Sequence, residues 1–188
     1  MAARRTQIDR ILAGDGKAFE EFVAQYQRLV SHVVFRMIDN RADREDVCQD
    51  VFLKIHGSLS GFRFESKLST WVARIAYNRC LNYIEKKKLP LFEDLCGENE
   101  SIDSVAGEYV LPDALVEQQD LSNRLRREID SLPVPFRAIL TLYHLDELSY
   151  REISRIMEMP EGTVKSYLHR ARRLLRKRLL AKYQPEEL

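Results

Sequence analysis

Between Phe62 and Lys88, five aromatic residues (Phe62, Phe64, Trp71, Tyr77, Tyr83) interleave with seven cationic ones (Arg63, Lys67, Arg74, Arg79, Lys86, Lys87, Lys88), against only Glu65 and Glu85. Flat apolar rings stack unpaired bases, at roughly 1–3 kcal/mol per base, while cations hold the phosphates, so this mixture suits single-stranded nucleic acid. A duplex alone requires the cations but not the rings. Asn78 and Asn82 lie one helical turn apart on the side of Trp71, where their amides could hydrogen-bond the edge of an extruded base. Core filling by Trp71 and Ile75 beside solvated lysines would use the same residue types.

A second group of chemistry-bearing residues lies near the C-terminus. Ser149 followed by Glu152 forms a capping box, Ile153, Ile156 and Met157 then form an apolar stripe, and Glu158 to Gly162 supplies a turn. In the next helix Val164, Leu168, Ala171, Leu175 and Leu179 recur at helical spacing and must face a core, which leaves Lys165, Ser166, His169, Arg170 and Arg173 outward. Between Thr163 and Gln184 there are eight Lys or Arg and no Asp or Glu, a density that neutralises phosphates. The pattern is a helix-turn-helix whose second helix fits a major groove. A solvated basic helix would also carry these charges.

A third surface is suited to protein rather than nucleic acid. At about 100° per residue, Val47, Cys48, Val51, Phe52 and Ile55 share one side of a helix, and Asp46, Gln49, Asp50 and Leu53 share the other. A single exposed leucine is ordinary. Rimmed by two carboxylates and an amide, it has the makeup of an interaction anchor.

These groups must be positioned by helices. From Asp15, Phe19, Phe22, Val23, Tyr26, Val30, Val33 and Met37 keep helical spacing to Asp39-Asn40. A second helix opens near Asp43 and ends in the cluster Gly57 to Gly61, forming an antiparallel pair with the first. A third starts at Ser69 or Thr70 and runs to Lys86-Lys87-Lys88, where Pro90 blocks continuation. From Glu93 to Asp120 there are nine Asp or Glu, no Lys or Arg and no sustained period, the composition of a flexible acidic linker. Helical pattern returns over Leu115 to Ile129, breaks at Ser131-Leu132-Pro133 and restarts at Pro135. The expected fold is all-α: two small helical domains, residues 1–90 and 118–188, joined by a flexible acidic linker over 91–117, the C-terminal domain a helix-turn-helix.

Composition narrows the function classes. The 188 residues hold 30 basic and 29 acidic side chains, a net charge of +1 that conceals strong segregation along the chain. Cys48, Cys80 and Cys96 are odd in number and lack any Cys-x-x-Cys spacing, which points to a reduced, cytoplasmic compartment and to thiols that act as small hydrophobes. Four scattered His provide no metal-ligand pair, so no metal and no cofactor are expected. No signal peptide, no membrane span, no phosphate-binding Gly-rich loop and no nucleophile motif is found, so neither an enzyme nor a membrane-inserted protein is expected.

In these residues the chain resembles an RNA polymerase sigma factor of the compact extracytoplasmic-function group, over about residues 10 to 182. The run Asp43-Arg44-Glu45-Asp46-Val47-Cys48-Gln49-Asp50-Val51-Phe52-Leu53-Lys54 is similar to the family's polymerase-binding helix. The resemblance implies docking of Asp46, Gln49, Asp50 and Leu53 on the β′ clamp helices of core RNA polymerase. Phe62-Arg63-Phe64 with Ser69 to Asn78 resembles the segment that melts and captures the −10 promoter element, which implies roles for Phe64, Lys67, Trp71, Arg74, Asn78, Arg79 and Asn82. Pro160 to Ser166 resembles the −35 recognition helix. Lys165, Ser166, His169 and Arg170 would read duplex base edges while Arg172, Arg173 and Arg176 mainly hold phosphates, with Thr163 in the same −35 set.

His169 and Tyr167 depart from the family's usual residues, so no −35 sequence carries over. The resemblance further implies control by an anti-sigma factor and a linker that threads toward the RNA exit path. Two rivals stand beside this reading. A conventional operator-binding regulator would use a two-fold site and need no polymerase. A helical enzyme with an accessory DNA-binding domain would need a catalytic cluster that is not found.

Overall fold

A computed structural model of the chain describes residues 2–87, 118–144 and 146–183. The acidic stretch expected to act as a linker, with Cys96 in it, lies outside these residues, apart from its final turn. Every regular element among the described residues is helical.

The chain begins with a helix that the sequence pattern did not announce. Among its described side chains, α1 (Ala2–Leu12) turns Ile8 and Ile11 into the core, too short an apolar signal to stand out by periodicity. Gly14, at φ 90°, makes a left-handed turn that glycine adopts without steric cost. Asp15 then caps α2 (Gly16–Met37), accepting from the Ala18 amide at 3.1 Å. The expected stripe along α2 is buried at Phe22, Tyr26, Val30, Val33 and Met37.

Asn40 caps α3 (Arg41–Ser58), which buries Val47, Val51 and Ile55. A 3-10 turn at Leu59–Gly61 and an irregular loop lead into α4 (Leu68–Lys86), which starts one residue ahead of Ser69, the earlier of the two expected positions. α5 (Gln118–Asp130), α6 (Val134–His144), α7 (Tyr150–Met157) and α8 (Glu161–Lys182) follow. α6 opens at Val134 rather than at Pro135, because the Pro133 carbonyl accepts from both Phe136 and Arg137, at 2.9 and 3.0 Å.

The capping box on α7 is present in full: the Glu152 amide donates to the Ser149 hydroxyl at 3.3 Å and the Ser149 amide donates to the Glu152 carboxylate at 3.0 Å. α7 ends at Glu158 with left-handed φ 54°. On α8, Val164, Leu168 and Ala171 are buried as expected, whereas Leu175 and Leu179 are only half-buried.

α6 packs on α2 and α7 packs on α4, so one continuous apolar core runs from α1–α4 into α6–α8. Polar groups line the same boundary. Arg137, 6% exposed, donates to the Asp39 carboxylate and, at 2.8 Å, to the Asp130 carbonyl, while Arg36 pairs with Asp130. His32 Nδ1 lies 3.1 Å from Asp146, whose carboxyl is raised above its ordinary pKa by burial, an effect the His32 contact offsets only in part.

Candidate nucleic-acid interface

On α4 the positions 71, 74, 75, 78, 79 and 82 fall at helical spacing on one face, and that face forms a groove of about 480 Å³. Its lining brings together Trp71, Arg74, Asn78, Arg79 and Asn82, five of the seven residues expected to capture a strand. The opposite wall is the end of α3, with Lys54 and Ser58, and the 3-10 turn that follows it, with Gly61. Lys54 and Ser58 were not among the expected strand contacts. Only the antiparallel α3–α4 packing brings them there, since nothing in their spacing relates them to Trp71. The groove thus has an indole face, two amides, three cations and a hydroxyl, and Arg79 Nε is buried in it without a partner.

Phe64 and Lys67, the other two expected residues, lie elsewhere. They line a larger concavity of about 900 Å³ between the loop ahead of α4 and the C-terminal helices, facing Tyr143, Arg151, Glu152 and Arg155. Phe64 sits at φ 59°, a left-handed conformation that costs a non-glycine residue about 1–3 kcal/mol and marks functional loops. Its ring packs on Phe62 at 4.8 Å, and Arg5 lies over it at 5.4 Å. Lys67 Nζ is 2.9 Å from Glu152, to which Thr70 also donates at 3.4 Å. Burial draws the Glu152 carboxyl upward, but the Ser149 hydrogen bonds and Lys67 outweigh it and hold the pKa at about 2. Arg74 is 3.4 Å from Glu158.

The aromatic set is smaller than its sequence spacing implies. Phe62 and Tyr77 are 8% and 2% exposed and belong to the core. Tyr83 donates its hydroxyl to Asp43 and is raised to about 12 by burial and that carboxylate. Phe64 and Trp71 are the rings left to meet a base. Cys48 and Cys80 are pushed up by burial, which leaves them poor nucleophiles at neutral pH.

α8 presents Lys165, Ser166, His169, Arg170, Arg172, Arg173 and Arg176 to solvent, with Thr163 half-buried at its start. Ser166 donates to the Gly162 carbonyl at 3.0 Å, so its oxygen is left to accept. Two of the cations rest on rings. Lys165 Nζ lies 5.5 Å from the Tyr150 ring centre and Arg172 lies 5.0 Å from that of Tyr143. The two rings stack on each other at 5.2 Å and 17°. Arg172 also donates to His144 Nε2 at 3.3 Å, and burial, followed by the Arg172 charge, lowers the His144 pKa. This row of Lys165, Tyr150, Tyr143 and Arg172 was not foreseen, because the tyrosines come from α7 and α6.

On α3, Asp46, Gln49 and Asp50 are exposed and Leu53 is 64% exposed, an unpartnered face on the side away from Val47, Val51 and Ile55. Among the described residues no group of His, Cys, Asp and Glu could hold a metal ion, and no helix is long and apolar enough to cross a membrane.

Comparison with known proteins adds to this geometry. The families described as Sigma-70 region 2 and Sigma-70, region 4 match residues 22–89 and 122–175. The chain is 34% identical over 179 residues to the ECF RNA polymerase sigma factor SigW of Bacillus subtilis, covering 93% of this chain and 96% of that protein. It is 37% identical over 169 residues to the ECF RNA polymerase sigma-E factor of Escherichia coli K12, covering 88% of each. Two solved structures share the fold. CnrH in complex with the cytosolic domain of CnrY aligns with TM-score 0.67 at 18% identity, over 95% of this chain and 98% of that one. The sigma factor RpoE in complex with the anti-sigma factor NepR from Bartonella quintana aligns at 0.65 and 22%, over 89% and 99%.

Proposed function

The chain belongs to the extracytoplasmic-function sigma factors of RNA polymerase, and from that premise we propose how its residues divide the work of promoter selection. Residues 1–90 form the unit that docks on polymerase and takes the −10 element, residues 118–188 form the unit that reads the −35 element, and 91–117 tether them. A sigma factor supplies selectivity and strand capture to an enzyme whose catalytic site is elsewhere.

Asp46, Gln49, Asp50 and Leu53 meet the β′ clamp helices, with Leu53 as the desolvated anchor and the polar neighbours as its rim. The melted −10 strand runs along α4. Trp71 stacks a base, Asn78 and Asn82 hydrogen-bond its edge, and Arg74, Arg79 and Lys67 hold phosphates, with Phe64 presenting a second ring from the loop. Lys54 joins these cations from the α3 wall.

α8 enters the major groove of the −35 duplex. Lys165, Ser166, His169 and Arg170 face base edges, and Thr163, Arg172, Arg173 and Arg176 face the backbone. The likeness to a sigma factor solved with an anti-sigma factor supports a protein inhibitor for this chain as well. These events take place on DNA, in the cytoplasm.

The observation that carries the strand-capture assignment is the gathering of Trp71, Arg74, Asn78, Arg79 and Asn82 in one groove, away from the α8 cations. Permanganate footprinting of open complexes tests it. With holoenzyme on a promoter selected from a random library, Trp71→Ala is expected to abolish most thymine reactivity at −10 while closed-complex binding changes little. Unchanged thymine reactivity would count against it.

A further inference from the structure

α1 has no part in the proposed division of work, and it lies ahead of the residues that carry the family match. It is nonetheless fixed against the −10 unit. Ile8 and Ile11 are buried, and α1 packs on α2 and on the 3-10 turn at Leu59–Gly61. The turn into α2 is held as well: the Gly14 amide donates to the Ile11 carbonyl at 3.0 Å, and Arg10 pairs with Asp15 at 2.8 Å. Arg5 lies three residues ahead of Ile8, and positions three apart on a helix are neighbours. Burial of Ile8 therefore brings Arg5, itself exposed, to the edge of the same contact, beside the loop that leads into α4.

There the Arg5 guanidinium lies over the Phe64 ring, 5.4 Å from its centre, within the reach of a cation–π attraction. Phe64 packs in turn on Phe62 at 4.8 Å, and Phe62 on Trp71 at 5.2 Å. One row thus runs from α1 to α4: cation, exposed ring, buried ring, indole. Phe62 is the buried link, and the two rings it joins are those assigned to unstacked bases. Trp71 is set by its place on a helix. Phe64 stands outside any helix, at a left-handed φ of 59°, so its ring depends on side-chain contacts for its place. A ring that must be ordered at the moment of stacking gives up part of the stacking energy as lost rotamer freedom. A contact that orders it beforehand removes that loss.

We propose that Arg5 is a positioning residue for strand capture: its guanidinium holds the Phe64 ring in the place from which it meets an unstacked base. That role rests on the assignment of Phe64 to the −10 strand. It extends the strand-binding unit to α1, whose two buried isoleucines then serve to deliver Arg5 to the loop.

Holoenzyme reconstituted from core polymerase and the full chain tests this on two fluorescein-labelled forms of a library-selected promoter. One is mismatched over the −10 element so that its strands stay apart, and the other is fully paired and kept closed in the cold. Arg5→Met keeps the aliphatic stem and removes the charge. It is expected to weaken binding to the mismatched fragment two- to fivefold, the range of an exposed cation–π contact, and to leave binding to the paired fragment unchanged. Arg5→Lys restores a cation and should retain most of the affinity. In a Phe64→Leu background, Arg5→Met should cost nothing further. Phe64→Gly suits the positive φ and removes the ring without straining the loop, so it takes the same place should Phe64→Leu fold poorly by circular dichroism.

If Phe64→Leu weakens binding to the mismatched fragment but Arg5→Met does not, the −10 assignment holds and the role of Arg5 is overturned. An equal loss from Arg5→Met with and without the Phe64 ring, the mark of a direct phosphate contact, overturns it too, as does an equal loss on the paired fragment. Loss from Trp71→Ala but not from Phe64→Leu removes Phe64 from the strand, and Arg5 with it. If neither Trp71→Ala nor Phe64→Leu weakens binding to the mismatched fragment, the −10 assignment itself fails and the role of Arg5 falls with it.

Discussion

Leu53, the proposed anchor on polymerase, contributes nothing to the core. It is 64% exposed on a helix whose core side is occupied by Val47, Val51 and Ile55, so Leu53→Asp should leave the melting temperature nearly unchanged. In a pulldown with core polymerase the same substitution should weaken binding at least tenfold, the scale of a desolvated anchor. Equal retention of wild type and variant would remove Leu53 from the interface. On the proposed −35 assignment, Tyr150 would act through another residue. Its ring lies under Lys165, and a cation–π contact at an exposed site is worth about 0.5–1 kcal/mol, so Tyr150→Leu should weaken −35 duplex binding about two- to fivefold. In a Lys165→Met background that loss should vanish, whereas a general effect on folding would persist. The pattern of types made Leu53 legible in the sequence. Tyr150 was not, because its partner lies on another helix.

At the scale of the element, α7 is the best-specified piece of the chain. Eight residues are too few for a helix to hold by propensity alone, so cap and packing decide. Ser149→Ala should cost about 1 kcal/mol. The pH dependence follows from Glu152, whose pKa falls from an ordinary 4.5 to about 2 in the fold. A depressed carboxyl contributes its stabilisation fully above the unfolded value and loses it as pH falls toward the folded one. Acid titration of thermal stability should therefore show a loss between about pH 4.5 and pH 2 that Glu152→Gln lacks. In α8, Leu168 is 1% exposed, and Leu168→Ala should cost about 2–5 kcal/mol. The half-buried Leu175 and Leu179 should cost less, because truncating them removes less buried apolar surface. The cap was readable for α7 and the apolar stripes for α2, α3 and α8, whereas α3 opens at Arg41 behind Asn40 rather than near the expected Asp43. α1 was not readable, since two buried isoleucines three residues apart do not make a period.

At the scale of the molecule, α2–α6 and α4–α7 packing joins the two halves through one core. Calorimetry of the full chain should accordingly give a single transition at low salt, and Arg137→Met, which removes the buried contact to Asp39 and Asp130, should shift it down or split it. Two separate transitions in the wild type would contradict a shared core. Several things were determined by the sequence alone: the helical periods, the capping box, the segregated charges and the three groups of residues that identify the family, because each depends on spacing within a single element. Tertiary structure alone decided which aromatics are accessible, with Tyr77 and Phe62 taken by the core, Trp71 half-buried against Phe62 and Phe64 left exposed. It alone set Lys54 across from Trp71 and separated Lys67 from the groove it was expected to share. It alone placed Glu152 beside Lys67 and Glu158 beside Arg74. Those outcomes depend on how helices far apart in the chain pack, and packing is settled by complementary side-chain shape and charge across an interface, which no spacing within one helix records.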